Sequence, residues 1–325
     1  MGRLRRIVTG AAFVLAGLLG VGSGAAQGPP AGWRESGPVV ERGTVRVFHA
    51  AGQRALAEEV AAVASAPLVV PGMGRVTAPP STRIYLAPDP AGFRALTDGR
   101  APEWAGGVAF PAVRVIVLPA YPTARSAEEG PEVTIRHEVA HLAIHARLPG
   151  AVPRWFDEGL SEMAAGSWDA EAAWKLRVAI ALGRAPALDS LALGWPAGAD
   201  RARLAYLLST TAVQHLHRRG GEEGFRLLLA NWRAEGTLDA AVRTTFGLTM
   251  GQLEDEWRDS VAARYGWLQA LTAASLVWLV VTVLFLVSWI PRRRRNLAKL
   301  AEMRAEERML MPPRMDGVDV EYPIG

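Results

Sequence analysis

A chain of 325 residues, half of them hydrophobic, is long enough for one core of roughly 200 to 240 residues plus targeting pieces. Its net charge is +4, but all of its 36 basic residues except Lys175 and Lys299 are arginines, and many of these flank apolar runs. The basicity therefore reads as topological and, with no phosphate loop or nucleic-acid motif, gives no nucleic-acid partner. The chain contains no cysteine, which excludes disulfides and thiolate ligands and leaves histidine and carboxylate to hold any metal.

Residues 1–26 read as a secretory signal: Arg3, Arg5 and Arg6 precede an apolar run over 7–21, and small residues follow at 23–27. An uncleaved anchor is the alternative, and both readings carry the following domain across a membrane. A short Gly/Pro linker occupies 28–32. Residues 44–49 alternate like a half-buried strand, and 53–66 are apolar at helical spacing. A Gly/Pro-rich break over 67–80 separates them from a second strand at 81–86, a short capped helix at 89–96 and a third strand at 113–118. Pro111, between a glycine-containing stretch at 104–110 and that third strand, suits an edge strand, with an ordinary β-turn as the alternative. Residues 126–131 read as a flexible stretch.

The next helix carries the chemistry. Over 133–146 it places His137 and His141 four residues apart on one face, where two imidazoles can bind one zinc ion. A third ligand must come from elsewhere, and Glu158, opening a second helical pattern after Pro153, is the candidate. That His, His, Glu set leaves one position for water, whose pKa zinc lowers to about 7. Glu138, the acid inside the motif, is then the general base that returns the proton to the leaving amine. Glu162, one turn beyond Glu158, is placed to accept the free ring N–H of a bound histidine. His145 continues the stripe, but a fourth protein ligand would close the water position, so it reads as a packing or surface residue.

His137-Glu138-x-x-His141 together with Pro153-Arg154-Trp155-Phe156-Asp157-Glu158-Gly159-Leu160-Ser161-Glu162 resembles the gluzincin, or thermolysin-like, zinc metallopeptidases, and in particular their bacterial membrane-associated branch. The resemblance covers both active-site helices and, more loosely, about 200 surrounding residues. It implies a zinc-dependent endo- or aminopeptidase-like site acting on a peptide or protein substrate. It also implies that the edge segment at 106–110 pairs with an extended substrate backbone. A non-catalytic, membrane-tethered binding module with a degenerate peptidase fold stays open as the alternative.

Beyond the second box the pattern is helical over 169–182, 201–219, 222–233, 238–246 and 250–265. The developing oxyanion needs a donor besides the metal, and Tyr206 and His215 are the candidates. Related enzymes supply a Tyr or His from this region, and Tyr206 is the better match. His215 and His217 face different sides of a helix and cannot both serve one site. Residues 268–290 form a run of 23 uncharged residues, roughly 34 Å as a helix, which predicts one transmembrane helix. The arginines at 292–295 fix its far end in the cytoplasm. The expected chain is α+β: signal peptide 1–26, a small mixed-sheet N-terminal lobe over 27–130, a helical zincin lobe over 131–266, a membrane span at 267–290 and a cytoplasmic tail over 291–325. Membrane lipid is then a second partner, and the catalytic domain is extracytoplasmic.

Overall fold

The computed structural model describes residues 37–148, 150–167, 170–181, 188, 191, 195–196, 198–265 and 267–310. The expected signal peptide at 1–26 and the tail beyond 310 lie outside the described residues. The chain divides into two compact units, one formed by residues 1–168 and 191–250, the other by 169–190 and 251–325.

The first unit is built on a five-stranded mixed sheet in the order β1-β2-β5-β7-β6. Strands β2 (Val45–Phe48), β5 (Thr82–Ala87) and β7 (Val115–Pro119) run parallel. They are flanked by antiparallel β1 (Val39–Arg42) and, at the opposite edge, β6 (Val108–Phe110). Helix α1 (Arg54–Ser65) buries Ala57, Val60, Ala61 and Ala64, the spacing of a single helical stripe. That stripe joins Val45, Val47, Ile84, Leu86, Ile116 and Leu118 in a core on one face of the sheet. Helix α2 (Pro90–Leu96) is capped by the Asp89 carboxylate, which accepts from Gly92 N at 2.7 Å. It places Phe93 with Phe48, Tyr85, Val115 and Val117 on the other face.

Two segments differ from expectation. The Gly/Pro-rich stretch at 67–80 contains a hairpin, β3 (Leu68–Val70) and β4 (Gly74–Val76), turned at Gly72 with φ +70°. Most of the stretch expected to be flexible, 126–129, lies in α3 (Ala124–Glu129), whose capping box pairs Thr123 with Ser126. A serine, where Glu or Gln is the usual partner, hid that cap from a sequence search.

Helix α4 (Pro131–His145) starts at Gly130 (φ +82°) with a proline in its first turn, a position where no N–H is required. Ile135, Val139 and Leu142 join the α1 core under the sheet. His137, Glu138 and His141 are buried on the same helix, and from His137 to Ile144 α4 has no exposed residue. Burying three ionisable groups costs stability unless something compensates them, which marks this helix as a functional element. Helix α5 (Arg154–Ala165) stops at Gly166 in the left-handed conformation, and α7 (Ala199–Glu235) is one long helix kinked at Gly221 (φ 62°, ψ −173°). Phe156 of α5 stacks on Phe225 and meets Trp232 edge-on, with ring centroids 6.1 and 5.1 Å apart, fastening α5 to α7. Helix α8 (Leu238–Phe246) completes this unit.

The second unit contains α6 (Ala170–Ala181), α9 (Met250–Tyr265) and α10 (Trp267–Leu310). Among the described residues no helix is long and apolar enough to cross a membrane. Helix α10 has the length, but it runs on through Pro291 and the arginines at 292–295. The expected transmembrane helix at 267–290 is therefore corrected. With it go the single-pass anchor, membrane lipid as a partner, the extracytoplasmic placement with a cytoplasmic tail, and the likeness to the membrane-associated branch. What stands of the fold is a mixed-sheet lobe and a helical lobe that bears the two-histidine motif.

Candidate metal centre

One turn of α4 brings His137 and His141 to the same side, with their Nε2 atoms 3.0 Å apart. Helix α5 crosses there, and Glu158 Oε2 lies 3.3 Å from each of those nitrogens. Three donor atoms at 3.0, 3.3 and 3.3 Å outline one face of a small tetrahedron. Ligand bonds of 2.0–2.2 Å at the tetrahedral angle put donor atoms roughly 3.3 Å apart, so the triangle fits a single divalent cation. Glu158 Oε2 is buried, and no donor among the described residues is aligned to bond it. A buried carboxylate oxygen in that position is explained by a cation. His137, His141 and Glu158 are all buried and form a group able to hold a metal ion.

The electrostatics show the same demand for positive charge. Burial pushes the Glu158 carboxyl up, but the two histidine rings beside it outweigh burial and hold it well below the usual carboxylate range. Burial pulls His141 down, whereas the Asp157 and Glu158 carboxylates raise it well above its ordinary value. Glu138 behaves differently: burial raises it, and neither histidine nor Arg125 cancels that effect. Its side chain is 6% exposed and lines the cleft beside Gly107, where an added Cβ would stand 2.9 Å from Glu138 Cγ and 3.1 Å from Oε1.

Around the triad, α5 presents two parallel stripes. Glu158 and Glu162 form the first, with Glu162 Oε1 3.4 Å from His137 Nδ1. Asp157 and Ser161 form the second and converge on His141 Nδ1, Asp157 Oδ1 at 2.9 Å and Ser161 Oγ at 3.2 Å. Asp157 Oδ2 also lies 3.0 Å from His145 Nε2, so His145 sits outside the triad and against the carboxylate that backs it. Sequence reasoning missed Asp157 and Ser161. The signal was present in the four-residue spacing of 157 and 161, one position out of step with 158 and 162.

Arg125 and Arg154 were also missed. Arg125 of α3 donates to Glu162 Oε1, with its guanidinium carbon 4.2 Å from the Tyr206 ring centroid. Arg154 Nε lies 3.3 Å from Glu158 Oε1, and its guanidinium is 4.6 Å from the Trp195 ring. No local pattern marks Arg125, whose carboxylate partner is 37 residues away. Tyr206 meets the His137 ring edge-on, centroids 6.2 Å apart, and burial pushes its phenol far above the usual range. His217 faces Glu222, 2.9 Å away. Neither His217 nor His215 is among the residues lining the cleft.

That cleft has a volume of about 670 Å³ and is bounded by the triad, Glu138, Tyr206, Trp104, Trp195 and the edge strand at Val108 and Ala109. The sequence matches the family described as the Peptidase MA superfamily over residues 92–263, just over half of the chain. A comparison with curated proteins gives no match.

Proposed function

The chain belongs to the Peptidase MA superfamily and its His137, His141, Glu158 triad is a metallopeptidase active site; from these premises we propose that it hydrolyses peptide bonds with a zinc ion held by that triad. Two imidazoles, one carboxylate and no cysteine suit zinc among the common divalent ions. When bound, zinc supplies a Lewis acid for the scissile carbonyl and brings the pKa of water near neutrality. Glu138 takes the proton of the attacking water and delivers it to the leaving amine. Its burial favours both tasks, because a carboxyl raised toward neutral pH is a competent base that can also act as an acid. Tyr206 keeps its proton at all working pH values, so its hydroxyl serves as a hydrogen-bond donor to the developing oxyanion. Glu162 and Asp157 act on the outer nitrogens of His137 and His141, fixing each ring's tautomer. Strand β6, at the sheet edge beside Glu138, offers main-chain pairing to an extended peptide.

The observation that carries this reading is Glu158 Oε2 equidistant from the two Nε2 atoms. The purified full chain is expected to contain about one zinc per molecule and to cleave members of a random peptide library. Glu138→Gln should keep the zinc and lose cleavage. Equal hydrolysis by wild type and variant would overturn the assignment of Glu138, and an uncut library would point to a different amide substrate.

A further inference from the structure

Arg125 is a cation 9% exposed, inside a cleft whose recognised machinery is elsewhere on α4, α5 and α7. Its backbone N–H donates to Trp104 O at 3.3 Å, fixing the start of α3 against the cleft wall. From there its guanidinium donates to Glu162 Oε1 while its central carbon stands over the Tyr206 ring, 4.2 Å from the centroid. The other oxygen of that carboxylate, Glu162 Oε2, accepts from Ser167 Oγ. Held at both oxygens, Glu162 has one orientation, and in it Oε1 also faces His137 Nδ1 at 3.4 Å. A buried ion pair is poor evidence for stability, since apolar side chains of the same volume often stabilise a fold as well or better. Its geometry is better evidence: a planar fork can hold a carboxylate at its edge and an aromatic ring at its face together, which an ammonium cannot.

We propose that Arg125 is a positioning residue that, through Glu162, sets the His137 ring for metal binding and, through its contact with the Tyr206 ring, holds Tyr206 against His137. One guanidinium thereby links a metal ligand to the oxyanion donor. The inference rests on the metallopeptidase reading above.

The test uses the full chain as wild type, Arg125→Met, Arg125→Lys, Glu162→Gln and the Arg125→Met/Glu162→Gln double variant. Zinc affinity is measured by competition with a chromophoric chelator. Arg125→Met and Glu162→Gln should each weaken zinc binding about 10–100-fold, the range for partners behind a ligating histidine. The double variant should lose no more than the larger single loss, because both changes break one chain of contacts. Arg125→Lys should keep zinc affinity through its charge yet lower kcat about tenfold at unchanged KM, having lost the planar guanidinium over Tyr206. A folded Arg125→Met that binds zinc like wild type, or losses that multiply in the double variant, would overturn the inference. If Arg125→Met fails to fold, Arg125→Lys decides, and a wild-type kcat there overturns it. A wild type that takes up no zinc overturns the metal reading and this inference together, whereas normal uptake with an indifferent Arg125→Met overturns this inference alone.

Discussion

Gly159 of α5 lies so close to α7 that a Cβ on it would stand 2.3 Å from the carbonyl oxygen of Ser209 and 2.6 Å from its carbonyl carbon. The two helices thus meet backbone to backbone at the centre of the segment that carries Asp157, Glu158, Ser161 and Glu162. The depth at which α5 sits against α7 positions all four side chains, with Phe156 pinned between Phe225 and Trp232 on the adjoining turn.

Gly159→Ala follows as a test of that contact. In an exposed helix the change would gain about 1 kcal/mol from helix propensity. Here the obstructing atoms are backbone and cannot rotate away, so overpacking should win by about 1–3 kcal/mol. Chemical denaturation should show the loss of stability, and zinc content should fall as Glu158 is carried away from the histidines. A variant as stable and as metal-rich as wild type would contradict the close approach.

Gly107 makes a similar contact with a different consequence. A Cβ there would meet Leu118 Cδ2 at 2.8 Å and Glu138 at 2.9–3.1 Å, and the carboxyl end of a side chain can move aside. Gly107→Ala should therefore cost little stability but displace the base, and misplacement by about 1 Å can lower the rate on the order of 100-fold. The expected signature is reduced kcat with zinc content unchanged. A loss of metal in proportion to activity would argue against it.

Much of this arrangement was legible in the sequence because it follows helical or strand periods. His137 and His141 share a face at a spacing of four, and Glu158 and Glu162 repeat that spacing. Strands β5 and β7 are short, mostly apolar runs rich in β-branched residues, and Pro88 and Pro119 mark their ends. The hairpin at 68–76 was hidden because each strand is three residues long, too short for alternation to register, and is surrounded by Gly and Pro. Asp157 was overshadowed by its neighbour Glu158, although two ligating histidines call for two outer carboxylates. Arg125 was out of reach for a different reason: its partners Glu162 and Tyr206 are brought to it by tertiary packing, which no local period encodes. The membrane span was inferred from lack of charge over 268–290, but among the described residues no helix is long and apolar enough to cross a membrane, and α10 runs on through Pro291 and the four arginines.

Asp157→Asn tests the second stripe. Burial pushes this carboxyl up, yet the His141 and His145 rings more than offset burial and keep it below its usual range. The carboxylate is therefore held ionised between the two rings. The amide keeps the shape and loses the charge, so zinc affinity should drop about 10–100-fold with the fold intact. Chelator competition reads this directly. His145→Ala, which leaves Asp157 on His141, should have a smaller effect, and the reverse order would reassign Asp157 to His145.

The last prediction concerns the hairpin, which is tied to the kink of α7 through Glu222. Glu222 Oε1 accepts from Gly72 N at 2.8 Å, and Oε2 lies 2.9 Å from His217 Nε2. Its pKa is lowered chiefly by the bond to His217, against an opposing effect of burial and with further help from the Gly72 N–H. A carboxyl lowered on folding stabilises the native state at pH values above its unfolded pKa, and that contribution is lost as pH falls through the folded value. The site is largely exposed, so solvent screening limits the effect to about 1 kcal/mol or less. Glu222→Ala should lower the urea midpoint at about pH 7 and have a smaller effect at a pH below the ordinary carboxylate range, where the wild-type carboxylate is itself being protonated. An equal loss at both pH values would assign the tie to the Gly72 hydrogen bond, which a protonated carboxyl can still accept, and remove charge from the account.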